Sequence, residues 1–231
     1  MTFDFRSDSK GKDPDLASEV LKNYHRILWS KPLPSGDVFN LVSEDSSYLT
    51  YVGKTANHVV SSDSIVNSYS QHKRMKPILQ NLDPILLAEF RNINSTIGGF
   101  IVFPANRING KPTINGERGF NPLIADRFDL TLECIRRYFL NLESPMSQVL
   151  NRYSSFFSLF VDFKSYVEFF LLNDLVEDNF SKIKYLNYLG NLFEGSPLPK
   201  DERSYLEYRT NSMVFTTMRN KRIESWAKAG R

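Results

Sequence analysis

The apolar positions of the first third of the chain recur at two different periods. Leu16, Val20, Tyr24, Ile27 and Leu28 fall at the three-and-four spacing of an amphipathic helix, with Asp13 and Pro14 as start signals, so a helix is predicted through Trp29. Pro32, Pro34 and Gly36 then force a turn. Beyond it the period shortens: residues 37–42, 47–52 and 57–62 are short β-rich runs separated by turn residues, which predicts a small antiparallel sheet. Asp83-Pro84 opens a second helix, Asp as cap and Pro in the first turn. The continuously apolar run Phe100-Ile101-Val102-Phe103, between Gly98-Gly99 and Pro104, predicts a strand buried on both faces.

Residues 105–119 read as a long, tightly turned loop, because the pairs Asn109-Gly110 and Asn115-Gly116 suit positive φ. From Asn121 onward the pattern is helical. Phe128, Leu132, Ile135 and Phe139 form one stripe, Phe156, Phe160, Phe163, Val167 and Phe170 a second, and a terminal helix is predicted to follow Leu198. The fold class is therefore α+β, a small antiparallel sheet packed against a predominantly helical C-terminal layer. Residues 1–12 are expected to be disordered and 13–231 to form one domain.

Composition sharpens this picture at three points. Eighteen Phe and eleven Tyr argue for large buried rings and against global disorder. The single Cys134 excludes an internal disulfide and a cysteine-based zinc site, which fits a reducing cytosol. No signal-like apolar core opens the chain, and the most hydrophobic stretch, 154–176, is interrupted by Asp162, Lys164, Glu168 and Asp174, so a cytoplasmic protein without a membrane span is expected. The net charge of +3 demands no polyanionic partner, although residues 210–231 carry five basic side chains against Glu224.

Candidate chemistry concentrates around "RGFNPLIADRFDLTLECIRRYF", residues 118–139. At helical spacing Asp126, Asp129, Glu133 and Arg136 share a face, so the three carboxylates could act as general base or hold a divalent metal. Arg107, Lys111, Asn115, Arg118, Arg136 and Arg137 supply groups that could grip a phosphate. The bland alternative is a salt-bridged helix start, with acids early and arginines late complementing the helix dipole. His25, His58 and His72 have no partners at metal-ligand spacing, Cys134 reads as a small buried hydrophobe, and "SSDSI", residues 61–65, reads as a turn.

At "LWSKPLPSG", "SSDSI", "TIGGFIVFPANRINGKPTINGERGFNPLIADRFDLTLECIRRYF" and "MRNKRI", from about residue 20 to 223, the chain resembles a bacterial family known only as a domain of unknown function. That resemblance implies no activity, cofactor or catalytic residue. A shorter likeness of "TIGGFIVFP" to some His-Asn-His nucleases lacks the histidine base, since all three histidines lie upstream. Two readings follow. One is an enzyme or ligand-binding domain acting on a phosphate-bearing ligand, nucleotide or nucleic acid. The other is a non-catalytic interaction protein, a regulator or a toxin-antitoxin or defence component, with a protein partner. They separate on whether the carboxylates and arginines line a concave pocket or are closed into buried pairs.

Overall fold

The computed structural model describes residues 2–43, 48–54, 56–188 and 190–229; Ser47 of the second expected strand and Arg231 of the basic tail lie outside these. Residues 2–12, expected to be disordered, are tied to the core by Phe5. Its ring is 1% exposed and sits edge-on to Tyr24 and Phe100, and its N–H donates to the Ser95 carbonyl at 3.0 Å. The predicted first helix is two, α1 (Pro14–Ala17) and α2 (Glu19–Trp29). Ser18 breaks it by leaving helical backbone to cap the second, accepting from Leu21 N–H while its own hydroxyl donates to Asp8.

The sheet is an antiparallel meander, β1 (Leu41–Ser43), β2 (Leu49–Val52), β3 (Asn57–Ser64) and β4 (Phe100–Pro104), in that spatial order. Every residue of β4 is buried, as its unbroken apolar run requires. The β3–β4 register aligns Asp63 with Ile101 and Ser62 with Val102, so "SSDSI" is strand up to Ser64 and not the expected turn. A turn reading of serine and aspartate overlooks that a strand can meet polar partners on both faces: the adjacent Ser62 and Asp63 point to opposite sides, Ser62 to His25 and Asp63 to Arg118.

Between β3 and β4 lie α3 (Lys76–Leu79) and α4 (Pro84–Asn94), the latter capped by Asp83, which accepts from Ile85 N–H. Gly98 and Gly99 follow in a single 3₁₀ turn. A Cβ on Gly99 would lie 2.0 Å from the Asn94 carbonyl oxygen, and one on Gly98 2.5 Å from that of Thr216. Glycine is what lets this turn press against its neighbours.

The helical layer comprises α5 (Ile114–Phe120), α6 (Phe128–Phe139), α7 (Ser147–Arg152), α8 (Ser154–Phe157), α9 (Phe163–Phe169) and the 28-residue α10 (Glu202–Ala229). Of the two Asn-Gly pairs, Asn109-Gly110 makes a left-handed turn, φ 52° and 70°. Asn115-Gly116 instead lies inside α5, because Thr113 caps that helix by accepting from Gly116 N–H. Rings join sheet to helices: Phe39 stacks on Tyr51 at 4.5 Å and meets Phe169 at 5.4 Å, and Trp29 meets Phe170 at 5.3 Å. Among the described residues no helix is long and apolar enough to cross a membrane.

Candidate functional site: a clamped cleft beside buried ion pairs

The charged segment 118–137 separates into three closed groups. Arg118, 0% exposed, forms ion pairs with Asp63 of β3 and, at 3.3 Å, with Asp126; it also donates to Thr131 Oγ1 at 3.1 Å and to the Ser64 carbonyl. Phe103 and Phe128 lie against its guanidinium. Arg127, immediately before α6, takes Asp129 side-on, Nε to Oδ1 at 3.0 Å and Nη2 to Oδ2 at 2.5 Å, with both residues 1% exposed. The Leu186 N–H adds a third bond to the Asp129 carboxylate at 2.7 Å. Burial works against the Arg127 charge, yet the attraction and hydrogen bonds of Asp129 outweigh it and hold its pKa above the ordinary arginine value. Glu133 is held by Arg136 at 2.7 and 2.9 Å, with Arg137 at 3.9 Å.

The face expected to unite Asp126, Asp129, Glu133 and Arg136 is thereby divided. The helix begins only at Phe128, and Ala125 and Asp126 ahead of it have left-handed backbone, φ 45° and 59°. Asp126 therefore turns toward Arg118 and Asn67, away from the direction of Asp129. Arg107 and Lys111 are exposed on the loop before α5, and Asn115 is half-buried within that helix. Arg137 donates to the Glu143 carbonyl and lies over Phe193.

Among the predicted carboxylates, Asp126 borders a substantial cleft. The cavity measures about 630 Å³, and its walls come from residues 67–74, 119–126 and Ser196 with Leu198. Two hydrogen bonds lock the first two walls together: Asn67 Nδ2 donates to Asp126 Oδ2 at 2.7 Å, and the Tyr69 hydroxyl donates to the Ala125 carbonyl at 2.9 Å. Tyr69 is itself left-handed, φ 57°, so three non-glycine residues of this cleft hold a backbone that side chains disfavour. Arg74 is exposed on one wall beside the half-buried His72, and Phe120 on the other leaves 83% of its surface open. Sequence patterns missed the 67–74 wall. Its signal was "NSYSQHKR", a polar segment with two cations and a tyrosine but no period.

Several titratable groups away from the cleft are buried or half-buried in the core. His25 is 0% exposed; its Nδ1 accepts from the Trp29 indole at 2.9 Å, so Nε2 carries the proton toward Ser62 Oγ, also at 2.9 Å. Ser62 in turn donates to Asp15 Oδ1. Burial pushes His25 down to about 3, assisted by Arg219, and burial beside Asp13 pushes Asp15 up to about 7. Burial also raises the Cys134 thiol to about 12, which makes it an inert core group. His58 stacks on Tyr51 at 6.0 Å, buried in β3. Among the described residues no three His, Cys, Asp or Glu side chains are grouped to hold a metal ion.

Searches among curated proteins and among solved structures each give no match. The model of a family of unknown function, DUF6994, matches residues 1–223, nearly the whole chain, and the protein belongs to that family.

Proposed function

We propose that this protein binds a small phosphate-bearing ligand, a nucleotide by class, in the cleft between residues 67–74 and 119–126. The observation that carries the reading is the strained, doubly hydrogen-bonded wall formed by Tyr69, Ala125 and Asp126. Left-handed non-glycine residues each disfavour folding by roughly 1–3 kcal/mol and concentrate where a fixed geometry serves a ligand. The lining suggests the class: Phe120 offers an open ring face for a planar base, while Arg74 and His72 stand where an anion would be met. Binding fits better than catalysis, because Asp129 and Glu133 are engaged by arginines and both oxygens of Asp126 already have partners.

The test is thermal denaturation of the protein with a panel of nucleoside mono- and triphosphates, since binding to the folded state alone raises Tm. Phe120→Ala and Arg74→Ala, both at exposed positions, should abolish the ligand-induced rise and leave the unliganded Tm unchanged. A panel without effect on the wild type removes the proposal.

One observation favours the interaction-protein reading as a second role. A groove of about 580 Å³ is lined by Tyr138, Phe139, Phe157 and Phe160, with Val161 76% and Leu142 46% exposed on its rim. Pull-down or light scattering that changes on Val161→Asp would support it.

A further inference from the structure

Two motifs that the cleft does not use, "WSKPLP" and "MRNKRI", meet at one indole. Lys31 Nζ lies 5.2 Å from the ring centre of Trp29, 4.7 Å from that of Phe169 on α9 and 4.8 Å from that of Trp226 on α10. The guanidinium of Arg219, fully buried, lies 5.7 Å from the same Trp29 ring. Neither cation has a carboxylate partner among the ion pairs of the described residues. Arg219 spends its donors on the carbonyls of Gly98, Phe100 and Phe170, and the nearby Asp174 is taken by Arg222. Lys31 is thus a partly exposed amine, walled by three aromatic rings and placed beside a second positive charge. Desolvation and a neighbouring cation are the two devices by which proteins turn lysine into a nucleophile.

We propose that Lys31 is a reactive amine that condenses reversibly with an aldehyde or ketone. Its Nζ lone pair adds to the carbonyl carbon, the carbonyl oxygen takes up a proton, and the carbinolamine loses water as the C=N bond forms; water reverses the step. No oxidant or reductant enters. Other titratable groups on the helices that wall it have partners of their own. His25 on α2 is neutral and bonded to Trp29, Lys164 and Glu168 on α9 pair with each other, and on α10 Arg222 is paired with Asp174 and Glu224 with Lys228. Burial and then Arg219 push Lys31 down to about 7. The ring faces attract an ammonium and pull the other way, and a pH titration reads the balance.

The experiment is reductive alkylation of the full chain with propionaldehyde and cyanoborohydride, followed by peptide mass spectrometry across pH 6 to 10. An ordinary lysine has only about one molecule in 2,500 unprotonated at pH 7. Lys31 should therefore be alkylated at least about tenfold faster at that pH than Lys164 or Lys228, with its rate levelling near pH 7 to 8. Trp226→Ala, which opens the cage, should return Lys31 to the pH dependence of the other lysines. Labelling of Lys31 no faster than theirs, or a rate that climbs only toward pH 10, overturns the proposal. So does an unchanged profile in a folded Trp226→Ala protein; if that variant does not fold, the wild-type profile decides.

Discussion

Asp129→Asn is the substitution that most directly weighs architecture against chemistry. The two side chains have nearly the same shape, so any effect is one of charge and hydrogen bonding. Asp129 is 1% exposed and accepts from Arg127 Nε, Arg127 Nη2 and Leu186 N–H. An asparagine would leave the Arg127 guanidinium, also 1% exposed, without a counter-charge, and its NH₂ would face at least one of those donors. Breaking one side of a buried ion pair costs about 3–5 kcal/mol, against about 1 kcal/mol or less for an exposed pair. With a urea m-value of about 3 kcal/mol/M, the midpoint of unfolding should fall by roughly 1–1.7 M at unchanged m. In a double-mutant cycle with Arg127→Met the pair should show a coupling of about 2–3 kcal/mol. A midpoint within about 0.3 M of the wild type would refute this reasoning and return Asp129 to the set of functional groups that its helical spacing first suggested.

Backbone strain gives a contrast of sign. Ala125→Gly relieves a left-handed alanine and should leave stability unchanged or raise it by up to about 1 kcal/mol, whereas Gly99→Ala drives a Cβ into the Asn94 carbonyl and should cost roughly 3 kcal/mol, both read from denaturant midpoints. His25, about 6.5 unfolded and about 3 folded, contributes stability that is complete above pH 6.5 and lost as pH falls toward 3, about 4–5 kcal/mol at the acid end. Asp15, raised to about 7, slopes oppositely: its contribution is complete below about pH 4 and lost as pH rises through 7, so Asp15→Asn should gain stability relative to the wild type at pH 8 and not at pH 4. A His25→Gln protein that keeps the wild-type acid slope would contradict the first statement.

Legibility followed the range of the interactions. Helix α4 was readable because Asp83-Pro84 is a local cap, β4 because five consecutive buried residues leave no period, and α10 because its start and length are set within its own sequence. The charged segment failed for a local and a distant reason. Locally, helical spacing was extended backward through Asp126, whereas Arg127 sits in extended backbone at the helix cap and reaches Asp129 two residues on. At a distance, Asp63, Asn67 and the 186–197 carbonyls decide where Arg118, Asp126 and Arg127 point, and no spacing rule connects residues about 60 apart in sequence. The basic tail shows the same limit. Arg219, one of its five basic side chains, is buried against the carbonyls of Gly98, Phe100 and Phe170, which no local pattern connects to it.

Why arginines occupy this core follows from the irregular backbone around them. Short helices and unpaired connections leave buried carbonyls without ladder partners, and each needs a donor. A guanidinium carries five donors on one rigid plane and can serve several acceptors at once. Arg127 reaches the carbonyls of Leu186, Asn187 and Pro197 besides Asp129, and Arg219 reaches those of Gly98, Phe100 and Phe170 at 2.7–2.9 Å. Phe170 caps the C-terminal end of α9, where the helix dipole favours a cation. Arg219 therefore keeps its proton with no carboxylate in contact, although burial lowers it to about 9. Lysine at 219 would retain the charge but reach fewer of these acceptors, leaving at least one carbonyl unmet at about 1–3 kcal/mol each. Arg219→Lys should thus destabilise by about 3 kcal/mol, while Arg222→Lys, at a side chain 40% exposed, should stay within about 1 kcal/mol. Equal effects in the two variants, measured by urea unfolding, would mean that charge alone matters at 219 and that the number of acceptors does not.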